Sequence, residues 1–107
     1  MKITLKTTVE QEITCETPCF RASDIKAVAI FETHTVAIWR IKWMNETETT
    51  RIEVEPHDIH HAVSQTSTVG RAILESDYRD ITKDEFMQWM TAAQNDIAVQ
   101  IQNIEDL

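Results

Sequence analysis

The stretch VAIWRIKWM, residues 36–44, decides the fold. Ala37, Trp39, Ile41 and Trp43 alternate with Arg40 and Lys42 over its second half. A period of two marks a strand with one buried face. Because an indole buries a large area, the Trp side is expected to face inward. The partners expected for Trp39, Ile41 and Trp43 are Phe86, Met90 and Ile97 of a C-terminal helix.

Reading outward from this strand, Glu32, Thr33, His34 and Thr35 suit a hairpin loop after the apolar run Ile25 to Phe31. On the other side Asn45 to Glu48 mark a turn before Thr50, Ile52 and Val54. Nearer the N-terminus the odd positions read Ile3, Leu5, Thr7, Val9, Gln11, Ile13 and Cys15 while the even positions are Lys, Thr or Glu, which predicts one strand over residues 3–15, interrupted by Pro18. Residues 3–55 thus read as an antiparallel meander of about four strands. Pro56 suits the first position of a helix, and a short helix is expected through Gln65. Residues 66–80 fit either a fifth strand or a helical turn around Val69, Ala72, Ile73 and Leu74, with a bend at Gly70, the single glycine.

The last helix has the clearest local signals. Thr82 and Glu85 make a capping-box pair, with Ile81 and Phe86 at the positions of a hydrophobic staple. Beyond them Phe86, Met90, Ala93, Ile97, Ile101 and Ile104 recur at intervals of three and four, with Trp89 at the edge of the stripe. The fold class expected is α+β: a meander packed against a long C-terminal helix, plus one short helix, in a single domain over residues 1–107.

Composition limits the functions available to this fold. The chain has 107 residues, a net charge of −8 and 42% apolar residues, enough for one core. No apolar run approaches the roughly 20 residues of a membrane span, and the N-terminal residues alternate where a signal peptide would be continuously apolar. A cytoplasmic protein with reduced cysteines, no membrane contact and no cofactor is expected. Residues 1–55 hold 7 basic and 9 acidic side chains, and residues 56–107 hold 3 and 9. Direct nucleic-acid binding is disfavoured, because it needs clustered Lys and Arg. Within the strand, moreover, the Trp rings and the Arg40 and Lys42 charges point to opposite faces.

No motif for catalysis appears. A single glycine rules out phosphate-cradling loops, and no nucleophile elbow, zinc helix or calcium loop is present. The expected protein is not an enzyme. The cluster His57, Asp58, His60, His61 places its histidines on one face of a helix at about 100° per residue, and with Cys15 and Cys19 it offers mixed metal ligands. Ordinary surface histidines are the plainer reading, since no spacing brings residue 15 to residue 57. The acidic segment Glu75, Asp77, Asp80, Asp84, Glu85 suggests an inhibitor that imitates a phosphate backbone, although Arg79 and Lys83 interrupt it.

Two stretches, Glu16-Thr17-Pro18-Cys19-Phe20-Arg21 and Ile81 to Phe86, resemble small proteins encoded by bacterial phages and mobile elements. That resemblance implies a protein that binds a host or defence component and supplies no catalytic residue. The expected function is a non-enzymatic protein-interaction module, with a protein partner or a second copy as its target. The alternatives are the acidic inhibitor of a nucleic-acid enzyme and a metal-binding protein using His57, His60 and His61. The helix back face, Gln88, Ala92, Asn95, Val99 and Gln102 with Asp96 and Asn103 beside it, is the expected partner surface. It is thinly charged and small at two positions one heptad apart.

Overall fold

Alternating β-branched residues and alanines in the middle of the chain build an antiparallel sheet whose two faces are both covered. The computed structural model describes residues 2–6, 12–42, 44, 48–56, 63–64 and 68–107. Strands β3 (Cys19–Ala22), β4 (Lys26–Ile30), β5 (His34–Lys42) and β6 (Glu48–Pro56) form the four main strands. They pair in sequence order, and the short β8 (Arg79–Asp80) is added beside β3. The β4–β5 hairpin closes where the Phe31 N–H donates to the His34 carbonyl at 2.9 Å.

The first predicted strand is in fact two. β1 (Lys2–Lys6) and β2 (Glu12–Glu16) form an antiparallel hairpin, with Ile3 opposite Cys15 and Leu5 opposite Ile13. Continuous alternation hides a reversal, because a hairpin with matched register preserves the period of two on both arms. This hairpin belongs to a separate three-stranded sheet. Its third member, β7 (Val63–Ser64), runs parallel to β1. The helix expected from Pro56 through Gln65 is therefore corrected at both ends: Pro56 closes β6, and Val63 and Ser64 are extended. Residues 57–62 and 65–67 lie outside the described residues.

The short helix forms later. α1 (Thr68–Leu74) resolves the ambiguous segment 66–80 in favour of a helix, followed by β8. Arg21 ties this unit to the sheet. Its Nε donates to the Ala72 carbonyl at 2.6 Å, one Nη donates to the Tyr78 carbonyl at 2.9 Å and the other meets Asp80 at 2.7 Å. The Ala72 carbonyl sits in the last turn of α1, where helical acceptors run out.

α2 (Lys83–Glu105) begins as predicted. The Thr82 hydroxyl accepts from the Glu85 N–H at 3.1 Å, and Ile81 and Phe86 are both buried in the same cluster. The helix lies on the face formed by Ala22, Ala27, Ala29 and Ile38, small enough to admit Phe20, Phe31 and Phe86. Phe20 meets Phe31 edge-on, with ring centroids 6.4 Å apart, and Phe86 at 5.6 Å. Contacts of this kind add about 0.5–1.5 kcal/mol beyond area burial.

The opposite face carries Val28, Ile30, Ala37 and Ala72, with Cys19, Ile73 and Tyr78 packed against them. Here the sequence reading of the central strand is overturned. Val36 and Ile38 are the β5 residues packed under α2, and Arg40 follows on the same side by alternation. Trp39 and Ile41 lie on the α1 side and do not meet Phe86, Met90 or Ile97. Trp43 is outside the described residues.

Candidate functional site

Two surfaces of the described residues combine unusual exposure or unusual burial with chemistry. One is the second half of α2. The apolar stripe is sealed where it crosses the sheet, at Phe86 and Ala93, and half-buried at Met90 and Ile97. It then emerges into solvent, Ile101 at 51% and Ile104 at 68% exposure. The helix is pinned just before this point, where the Thr50 hydroxyl of β6 donates to Asp96 at 2.7 Å.

A groove of about 480 Å³ follows the emerging stripe, with Ile97, Ile101 and Ile104 along one side and Thr49 and Thr50 along the other. Its charged lining is acidic: Asp96 from the helix and Glu48 from β6, the latter 3.8 Å from Arg40. After Lys83 the helix contains no Lys or Arg. The groove therefore sets hydrocarbon beside two carboxylates, one of them partly offset by Arg40.

The other surface lies across the sheet, beside α1. The register places Lys26 opposite Trp39 and Trp39 opposite Arg51, giving one cross-strand row. The Lys26 ammonium stands 4.0 Å from the Trp39 ring centroid and Arg51 5.3 Å from it. Lys26 is only 6% exposed. Burying an ammonium costs several kcal/mol, and a desolvated contact with an indole returns about 2 kcal/mol. Burial pushes the Lys26 amine below the ordinary lysine value, and the more distant carboxylates Glu53 and Glu55 oppose that shift.

Lys26 opens onto a pocket of about 240 Å³. Buried Ser23 lies with it at the floor, half-buried Trp39 and Tyr78 form walls, and exposed Arg71, Glu75 and Asp77 stand at the rim. Burial raises the Tyr78 hydroxyl above its usual value, Glu75 adds to the effect, and a hydrogen bond with Ser23 works against it. The Trp39 indole N–H is buried and has no acceptor among the described residues. Sequence reasoning missed this site. Lys26, a charge inside the apolar run Ile25 to Phe31, was the available signal.

Within β5 the ring of Trp39 and the charge of Arg40 occupy opposite faces, Arg40 stacking on Trp89 at 4.0 Å on the α2 side. Between strands they meet, because Lys26 and Arg51 bring cations to the Trp39 face from either neighbour.

Gln88, Ala92, Asn95, Val99 and Gln102 are all exposed on α2, as are Asp84 and Met87 near its start. Of the acidic segment, Asp80 is paired with Arg21 at 2.7 Å and Glu85 with Arg79 at 3.5 Å, so its negative charge is partly offset within the chain. Cys19 is a half-buried residue of β3, whereas Cys15 belongs to the N-terminal sheet. His57, His60 and His61, and the Cys15 side chain, lie outside the described residues. Among the described residues no three His, Cys, Asp or Glu side chains gather as metal ligands. No helix among them is long and apolar enough to cross a membrane. Compared with protein-family models, curated proteins and solved structures, the chain matches no family model, no curated protein and no solved structure.

Proposed function

We propose that this chain acts by binding another protein, through the emerging isoleucine stripe of α2. The observation that carries the reading is the continuity of that stripe: the same periodic face is core at Ala93 and solvent at Ile101 and Ile104. Apolar residues that continue a core face into water and line a groove are what a partner segment covers. The acidic lining selects a partner whose contact segment is apolar and flanked by Lys or Arg. A second copy would set Asp96 and Glu48 near like charges. A basic nucleic-acid enzyme would answer the charge but leave the isoleucines uncovered. The resemblance of residues 16–21 and 81–86 to phage and mobile-element proteins supports a host component as the partner.

The test uses a synthetic amphipathic peptide with a leucine stripe and lysine flanks, beside a scrambled peptide of the same composition. The full chain is expected to prefer the amphipathic peptide, with affinity falling as salt rises. The double variant Ile101→Arg with Ile104→Arg, which changes only exposed side chains, is expected to bind at least roughly tenfold more weakly. Ala92→Arg with Val99→Glu on the polar back face should bind as the parent does. Equal affinity for the scrambled peptide, loss only in the back-face variant, or a dimer in light scattering that the isoleucine variant dissolves would each overturn the proposal.

A further inference from the structure

The Lys26 pocket lies on the other side of the sheet from the proposed protein-binding groove. Lys26 is among the most buried charged groups described, and its ammonium makes one strong contact, the Trp39 ring. Glu53 and Glu55 also act on its charge. Taking an ammonium out of water is costly, and a further anionic partner beside it would offset that cost. The space beside it is open and bounded by aromatic walls.

We propose that this pocket binds a small organic carboxylate, its charge paired with the Lys26 ammonium and its body in the space lined by Trp39 and Tyr78. Three features select that class. The volume, about 240 Å³, falls below the roughly 300–1,000 Å³ typical of sites for drug-sized ligands. The aromatic walls favour an organic body over a bare inorganic ion. Glu53 and Glu55 act on Lys26 from beside the site, and Glu75 and Asp77 stand at the rim. Four nearby carboxylates tolerate one negative charge on a ligand more readily than the two of a phosphate. The rim acids also suit an amino group at the ligand's outer end, so a simple carboxylic acid and an α-amino acid share the recognition chemistry.

The experiment follows the Trp39 indole signal in proton–nitrogen spectra of the full chain, identified by its loss in Trp39→Phe. Sodium benzoate, neutral benzamide, phenylalanine and inorganic phosphate are titrated at constant ionic strength. Benzoate is expected to shift the signal saturably, and benzamide to bind roughly tenfold or more weakly, as loss of a charge-assisted hydrogen bond implies. In Lys26→Met, which keeps the side-chain length, the two are expected to fall within about twofold of each other. Tighter binding of phenylalanine than of benzoate assigns the rim acids to an ammonium, and the reverse order assigns the site to simple carboxylates. The benzoate preference is read in the parent protein, so it needs no variant to fold. Absence of a saturable shift, equal affinity for benzoate and benzamide, stronger binding of phosphate than of benzoate, or an undiminished preference in folded Lys26→Met would overturn the proposal.

Discussion

The two faces of the five-stranded sheet solve the same packing problem with different materials. Under α2, alanines on β3 and β4 make room for three phenylalanines and Ile38, and the layer is sealed by carbon. Under α1, aliphatic residues fill one end, while Lys26, Trp39, Tyr78 and Ser23 surround open space at the other. Both faces are covered by a helix, yet only one is filled. A small domain has little stability to spare, so a buried ammonium beside open space is a cost that packing alone does not explain.

The contrast is sharpest in its largest predicted effect. Phe86→Ala removes a ring that is 4% exposed and touches Phe20. It is expected to cost about 3–5 kcal/mol in urea unfolding, enough to unfold a marginal domain. A loss below about 1 kcal/mol would mean that the α2 face repacks freely and is not the jigsaw described.

On the α1 face polar ties take over from carbon. Arg21→Met keeps the aliphatic stem but strands the Ala72 and Tyr78 carbonyls that the guanidinium serves. The expected cost is about 1–3 kcal/mol, with faster amide exchange in α1 and β8 than in α2. Exchange that quickens equally in both helices would show that the two faces unfold together and erase the distinction.

The smallest effect concerns pH. Because burial lowers the Lys26 amine, its favourable contribution is complete only above the ordinary lysine value and is lost as pH falls through the lowered one. At neutral pH the buried charge is a burden, and Lys26→Met is expected to be at least as stable as the parent. As pH rises toward about 10, the parent should gain on the variant. Tyr78, raised by burial, acts in the opposite sense and withdraws its contribution only as pH climbs through its raised value. Urea midpoints of both proteins across this range check the sign, and a gap that widens in favour of Lys26→Met with rising pH would contradict it.

These two faces also explain what could be read from the chain alone. The cap at Thr82 and the stripe of α2 were legible, because capping and helical period are local properties. The parity of β5 was legible too: Ala37, Trp39 and Ile41 do share a side. Which side received the long helix was not, since both sides are covered and alternation reports grouping without direction. The reversal between β1 and β2 was hidden for a related reason, a register that pairs odd positions with odd positions on the two arms. The Lys26 pocket needed three strands in register, Lys26 beside Trp39 beside Arg51, which no single segment encodes. The stripe itself showed that Ile101 and Ile104 belong with Phe86, but the sheet's edge, which decides where cover stops, is a property of the assembled fold.

The lack of any Lys or Arg in α2 after Lys83 leaves the end of the helix without a cation to balance its dipole. The C-terminal end of a helix carries about half a negative charge from its aligned peptide groups. Here Glu105 and Asp106 add to that charge, and no basic side chain occupies the last turn. The end is closed by local bonds instead, the Asp106 N–H to the Gln102 carbonyl at 3.0 Å and the Gln102 amide to the Asp106 carboxylate at 2.9 Å. The final turns are thus wound against their own electrostatics. Their helical content is expected to respond to the ionic surroundings, with salt screening the unfavourable end charge and easing the winding of the last turn.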